Sequence, residues 1–404
     1  MSGVTRRQFL TGLACSGLCA LGGGALVSTL LDHEPAGAAR SSQFSREALY
    51  YTTSGEKLRC ESCHGDLQQS RVQYCHVPHT GDYVACQLCP KGCLISDGHR
   101  GDCRVRENQG GVLYTMVYGN PCAVHADPIE KKPLYHFLPG SLAFSIATAG
   151  CNLHCLYCQN WQISQQRPEE VDSSALLPAD VVSYAQQYNC PVIAYTYTEP
   201  TVFYEYMLHT ARLARAENLR SVVISAGYIN QAPLLELCGA VDAIKIDFKG
   251  FSDDFYQRIC DATLQPVLDA MKCIQRQGVH LEIVTLVVPT LNDDPDELRG
   301  LCRWIVQELG PDVPTHFSRF HPQYKLTGLP STPVETLELA YSTALEEGIR
   351  YPYIGNVPGH PGDNTYCHRC GEMIIRRLGF TILEYHLVGG KCEYCAQPIP
   401  GVWK

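Results

Sequence analysis

The chain has 404 residues, 45% of them hydrophobic and 18% charged, with a formal net charge of -9. That is room for one large domain with accessory modules and a substantial core, and the absence of any strongly basic stretch argues against nucleic acid as a partner. The 22 cysteines, mostly in close pairs or triplets, read as metal ligation more than as a disulfide framework.

At the N-terminus, Thr5-Arg6-Arg7-Gln8-Phe9-Leu10 has the pattern of a twin-arginine export signal. An apolar, Gly-rich run over 13–31 follows, and Ala36-Gly37-Ala38 offers a small-residue cleavage site. The expectation is a signal over 1–39 and a periplasmic or other extracytoplasmic destination, or a cytoplasmic protein if the signal is unused. A signal anchor is the alternative reading. No other stretch approaches the ~20 apolar residues needed to cross a bilayer, so no stable span is expected after cleavage.

Residues 45–140 are expected to form a Cys-rich module held by metal, because its core is too small to hold it alone. Cys60-Glu61-Ser62-Cys63-His64 matches a c-type haem attachment sequence, with His64 as one axial ligand and His76 or His79 as the other. A zinc knuckle completed by Cys75 and His76 or His79 competes with haem. Cys86, Cys89, Cys93 and Cys103 place four thiols in one short stretch. They suit tetrahedral zinc or an iron–sulfur cluster, and disulfides are the third reading.

From residue 142 the texture changes to alternating strands and helices. Strands are predicted at 142–148, 192–198, 221–225, 243–248, 280–288 and 315–320. Helices are predicted at 179–188, behind Pro178, and at 200–217, which has an amphipathic period. Two more are predicted at 294–309, which opens on acidic residues, and at 334–347. Six strand–helix repeats imply parallel strands with right-handed crossovers. The predicted fold class is α/β, a partial (β/α)6 barrel over 141–355 between two Cys-rich modules, with chemistry at the C-terminal ends of the strands. A doubly wound open sheet is the alternative.

Cys151, Cys155 and Cys158 follow the first of these strands with C-x3-C-x2-C spacing. Three thiolates can hold three irons of a cubane and leave the fourth open to a ligand. A three-cysteine zinc site completed by His154 is the competing reading. The position after the first strand of a (β/α) repeat, with Tyr157 before the third cysteine, favours the cluster. In the last module, 356–404, Cys367-x2-Cys370 and Cys392-x2-Cys395 form two knuckles that suit a zinc ribbon or a single rubredoxin-like iron. Cys122, Cys190, Cys238, Cys260, Cys273 and Cys302 are scattered and read as buried small hydrophobes.

With these motifs the chain resembles radical S-adenosylmethionine (SAM) proteins of the AmmeMemoRadiSam group, relatives of the pyruvate formate-lyase activating enzymes. The marks are the Cys86–Cys103 motif, the peptide from Asp127 to Phe137, Cys158-Gln159-Asn160-Trp161, and Tyr353-Ile354-Gly355-Asn356-Val357. The resemblance implies a [4Fe–4S] cluster on Cys151, Cys155 and Cys158, with SAM on the open iron. It places Tyr157 beside the cofactor and Glu199, in Thr198-Glu199-Pro200, at the SAM amino group, although the usual preceding glycines are absent. Ser225 becomes a ribose or carboxylate contact, Asp247 and Lys249 match an Asp-x-Lys carboxylate contact, and His321 matches a histidine near SAM. Alternation puts Lys245, Asp247 and Lys249 on one strand face; turned inward these charges need a ligand, and turned outward they read as a salt-bridged surface.

The implied activity is reductive cleavage of SAM to a 5′-deoxyadenosyl radical, which takes hydrogen from a protein or small-molecule substrate and needs an electron donor. The competing function is an exported iron–sulfur or haem electron-transfer scaffold without SAM turnover.

Overall fold

The computed structural model describes residues 43–53 and 83–403. The export signal and the Cys60, Cys63 and His64 site lie outside the described residues. Among the described residues, no helix is long and apolar enough to cross a membrane.

The centre is an eight-stranded sheet. Its strands are β1 (Ala123–Pro128), β2 (Leu142–Ala147), β3 (Val192–Tyr195), β4 (Arg220–Ser225), β5 (Ala243–Asp247), β6 (His280–Val287), β7 (Thr315–Arg319) and β8 (Pro352–Gly355). They lie side by side in chain order. β1 pairs antiparallel to β2, and the pairs from β2 to β8 are parallel. Apolar runs such as Val192–Tyr195, buried at every position, are what a sheet covered on both faces requires.

The connections carry helices α1 (Pro178–Gln187), α2 (Tyr204–Ala216), α3 (Gln231–Cys238), α4 (Gln265–Arg276), α5 (Pro295–Glu308) and α6 (Val334–Glu346). Their starts follow local chemistry. Pro178 and Pro295 occupy first-turn positions, where the missing N–H costs nothing. Asp294 caps α5 by accepting from Asp296 N and Glu297 N at 3.0 and 3.1 Å. α4 turns Val267, Leu268, Met271 and Ile274 to the core, a 3.6-residue stripe.

Three boundaries differ from the expectation. Residues 352–355 add a seventh parallel strand after the six expected. The barrel sheet also begins at Ala123 rather than after residue 140, because β1 pairs with β2 along its whole length. An antiparallel edge strand needs no crossover helix, so no strand–helix alternation marks it. The helix expected at 200–217 opens with a separate 3-10 turn, Pro200–Phe203.

The segment after β1 closes the end of the sheet opposite the cysteines. Tyr135 N and His136 N donate to the buried Glu282 carboxylate at 2.9 and 2.8 Å, and His316 meets the same group at 2.9 Å. Here the Asp127–Phe137 peptide forms a floor. The C-terminal module seals it from outside. His136 Nδ1 bonds Pro400 O at 2.6 Å, Val402 N donates to His136 O at 2.7 Å, and the Trp403 ring lies 5.1 Å from His136.

Candidate active site

β2 ends at Ala147, and the chain turns through Gly150 into the cysteine loop. Gly150 has φ +92°, and a Cβ there would stand 2.6 Å from the Cys103 carbonyl oxygen. Only glycine fits so close an approach. The loop is held from the far side by Cys260 O and Ile259 O, which accept from His154 N and Leu156 N at 3.0 and 2.9 Å. Tyr324 stacks on Trp161 with centroids 5.2 Å apart, and Lys325 N donates to Leu156 O at 2.9 Å.

The three cysteines thus gather at the C-terminal edge of the sheet. Burial pushes the Cys151 thiol well up, and the charges of Glu199, Cys155 and Cys158 add to the shift. The Cys155 thiol is raised by its hydrogen bond with Cys260 and then by burial. Cys158 is raised by burial, although Ser164 Oγ at 3.2 Å opposes it. Such thiols ionise only against added positive charge, which iron supplies.

The donor set fits a cluster better than a single ion. Among the described residues, the cysteine group whose sulfurs all lie within 4.8 Å of one another is Cys367, Cys370, Cys392 and Cys395, and the central three are not packed so tightly. The zinc alternative needed His154 as fourth ligand, but His154 is engaged elsewhere. Its Nε2 meets Asp102 Oδ1 at 2.9 Å and its Nδ1 meets Gln165 at 2.7 Å.

The residues expected around SAM fall into two groups, on the C-terminal ends of β3 to β5 and beyond β7. Glu199 is buried, close enough to Cys151 for its charge to act there. One carboxylate oxygen accepts from Thr201 N, Thr201 Oγ1 and Ser225 Oγ at 3.1, 2.7 and 2.7 Å, and the other accepts from Ala226 N at 2.8 Å. Glu199 therefore also ties β3 to β4. Ser225 accepts in turn from Gly227 N at 2.9 Å.

On β5 and just past it, Asp247 sits between two lysines. Lys245 Nζ pairs with Oδ1, and Lys249 Nζ lies 3.3 Å from Oδ2. Burial works to raise the Asp247 pKa, but both ammonium groups outweigh it and hold the carboxyl at about 2. Burial also opposes the charge on Lys249, yet the Asp247 carboxylate prevails and its pKa stands above the ordinary lysine value. A fixed cation thus lies beside the cysteine loop. Tyr157 is buried, with its hydroxyl 3.6 Å from Cys260 Sγ.

His321 is placed apart from this group. It is exposed, and its Nδ1 meets Ser331 Oγ at 3.0 Å. Cys260, read from sequence as a buried hydrophobe, is buried but presents its thiol to Cys155 and Tyr157. It lies in the π turn Tyr256–Cys260, more than a hundred residues along the chain, so no local spacing could reveal it.

The N-terminal module packs directly on the cysteine loop. Lys91 Nζ lies 3.1 Å from Asp102 and 2.7 Å from Asp261, and Arg106 pairs with Glu205 at 3.0 Å, both side chains buried. Asp102, His154 and Asp261 have ligand atoms close enough for a metal ion, but Lys91 and His154 already answer their charge. The C-terminal four are different. Cys367 and Cys395 sulfurs are 3.6 Å apart, and those of Cys370 and Cys392 3.7 Å. The edge of a tetrahedron with ~2.3 Å metal–sulfur bonds is about 3.8 Å, so this site has the size of one ion.

The radical SAM superfamily model matches residues 145–302. An uncharacterized protein of Methanocaldococcus jannaschii is 48% identical over 318 residues, covering 78% of this chain and 95% of its own. The pyruvate formate-lyase 1-activating enzyme of Escherichia coli K12 is 23% identical over 207 residues, 47% of this chain and 82% of that one. Among solved structures, a radical SAM methyltransferase from Sphaerobacter thermophilus aligns with TM-score 0.43 and 15% identity, over 56% of this chain and 71% of that one. The chain belongs to the radical SAM superfamily, and it is a radical SAM enzyme with homology to the pyruvate formate-lyase activating enzymes.

Proposed function

We propose that the protein abstracts hydrogen from a substrate by reductive cleavage of SAM at Cys151, Cys155 and Cys158. The observation that carries this reading is the Lys245–Asp247–Lys249 row, whose last ammonium is held 3.3 Å from Asp247 Oδ2 on the side of the cysteine loop. When bound there, a [4Fe–4S] cluster and SAM supply one-electron cleavage of the sulfur–C5′ bond and a 5′-deoxyadenosyl radical.

The chain's own residues position the parts. Lys249 is fixed by Asp247 and offers its ammonium to a carboxylate. Glu199 and Ser225 form a polar shelf at the ends of β3 and β4, within reach of an amino group or a ribose. Buried Tyr157 and Cys260 pack behind Cys155 and exclude water from that side. The floor of Glu282, His136 and His316 closes the opposite end, so substrate enters from the cysteine side.

The activating-enzyme relatives favour a protein substrate, and a small molecule is the alternative. A low-potential electron donor is a further part of the reading. The C-terminal four cysteines hold zinc in this proposal, and the twin-arginine segment directs export. Anaerobic protein given SAM and dithionite should form 5′-deoxyadenosine, and a Cys155→Ala variant should not. A parent protein that assembles its cluster yet yields none would replace the enzyme with an electron-transfer scaffold.

A further inference from the structure

The N-terminal cysteines surround a space that the radical chemistry does not use. Cys86, Cys89, Cys93 and Cys103 line a single cavity with about 360 Å³ of atom-free volume, part of it open to solvent. Arg106 and Asn152 contribute to its wall. Short-range turns bring the four thiols together. Cys86 N donates to Cys93 O at 2.9 Å across a hairpin, and Gly92 N donates to Cys89 O at 3.1 Å. The turn closed by Arg104 N and Gly101 O at 2.9 Å carries Cys103 back to the same space.

Three features of this wall speak to what fills it. The first is size. The C-terminal four sulfurs pack within 4.8 Å of one another, and the N-terminal four do not form such a group among the described residues. A single ion needs the compact arrangement, whereas a cubane with iron at four corners needs sulfurs set apart around a void. The second is Arg106. Its Nη1 bonds Glu205 and its Nη2 donates to Leu49 O at 2.6 Å, but its buried Nε–H has no acceptor among the described residues. A buried donor left unmade is costly, so an acceptor inside the cavity is expected. Inorganic sulfide is such an acceptor. The third is Asp102 N–H, which donates to Cys93 Sγ at 3.4 Å, the kind of bond that supports a cluster thiolate.

We propose that Cys86, Cys89, Cys93 and Cys103 hold a second [4Fe–4S] cluster, with Arg106 Nε–H directed at one of its sulfides. Four protein thiolates leave no open iron, so this cluster takes no SAM. Asn152, in the cavity wall, is peptide-bonded to Cys151, so the second cluster lies against the loop that carries the first. The site stands on its own cysteines, and its test does not depend on SAM cleavage.

The test uses full-length protein made with iron–sulfur assembly machinery and purified without oxygen. A Cys151→Ala/Cys155→Ala/Cys158→Ala variant should keep about four irons and about four acid-labile sulfides per chain, and dithionite should give it a cluster EPR signal. Loss of all labile sulfide from a folded variant, or zinc in place of iron, overturns the proposal. Where that variant does not fold, the parent is compared with Cys86→Ala/Cys103→Ala. Iron should fall from about eight to about four per chain, and unchanged iron overturns the proposal.

Discussion

Lys249 and Glu199 sit at the same edge of the sheet but should fail differently when changed. Lys249 contributes a charge held by one carboxylate, so Lys249→Met should leave the cysteine loop and its iron intact. SAM cleavage should drop by about 10²-fold, the scale on which one lost electrostatic contact acts, and 5′-deoxyadenosine formation against an iron assay measures both. Glu199 accepts at both oxygens from its own protein. Glu199→Gln turns an amide N–H toward N–H donors, and stability should fall by about 1–3 kcal/mol before any cofactor is added. Chemical denaturation of the apo protein checks this, and an unchanged midpoint would assign Glu199 to the cofactor alone. The same contrast explains what the sequence could disclose at this scale. Cysteines three or four residues apart declare themselves because the loop that uses them is contiguous. Cys260, Asn152 and Arg106 reach their neighbours from distant elements, and each looks ordinary in its own stretch of chain.

Elements meet at two seams, one on each side of the barrel. On the cysteine side the seam is Gly150 against Cys103. Gly150→Ala would force a Cβ to 2.6 Å from a carbonyl at φ +92°, so the N-terminal module should lift from the loop. A loss of about 1–3 kcal/mol is expected, with protease cleavage between the module and β1 as the readout. On the floor side the seam is Trp403 and Pro400 against His136. If the C-terminal four cysteines hold the proposed zinc, a chelator, or Cys370→Ser, should free this module, and Trp403 fluorescence should shift toward that of exposed indole. The strands were legible wherever a buried run met a helix period. β1 and β8 were not, because an edge strand and a four-residue terminal strand carry too little pattern.

For the molecule as a whole, the floor sets the response to acid. Burial holds the His136 pKa at about 3, against an ordinary histidine near 6.5. The folded value lies below the unfolded one, so the unfolded chain binds the extra proton between them. His136 therefore leaves stability undiminished above about pH 6.5 and subtracts from it as pH falls toward 3. Denaturant midpoints between about pH 7 and about pH 4 should decline more steeply for the parent than for His136→Gln. The α/β class and the order of barrel and flanking modules were readable in advance, because parallel strands buried on both faces and paired cysteines both write themselves in local sequence. The floor was not, since Glu282 lies 146 residues along the chain from His136, and Pro400 lies 264 from it.

That separation also bears on synthesis. Residues 400–403 leave the ribosome after every strand of the sheet, yet Val402 N is bonded to His136 O and Leu138 N to Val402 O. A nascent chain can therefore assemble the cysteine end while its other end is still unsealed, with the His136 imidazole bare to water. Whatever maturation the cysteine loop undergoes has an interval in which the barrel is still loose, and residues 400–403 end it like a stopper pressed in after the strands are made.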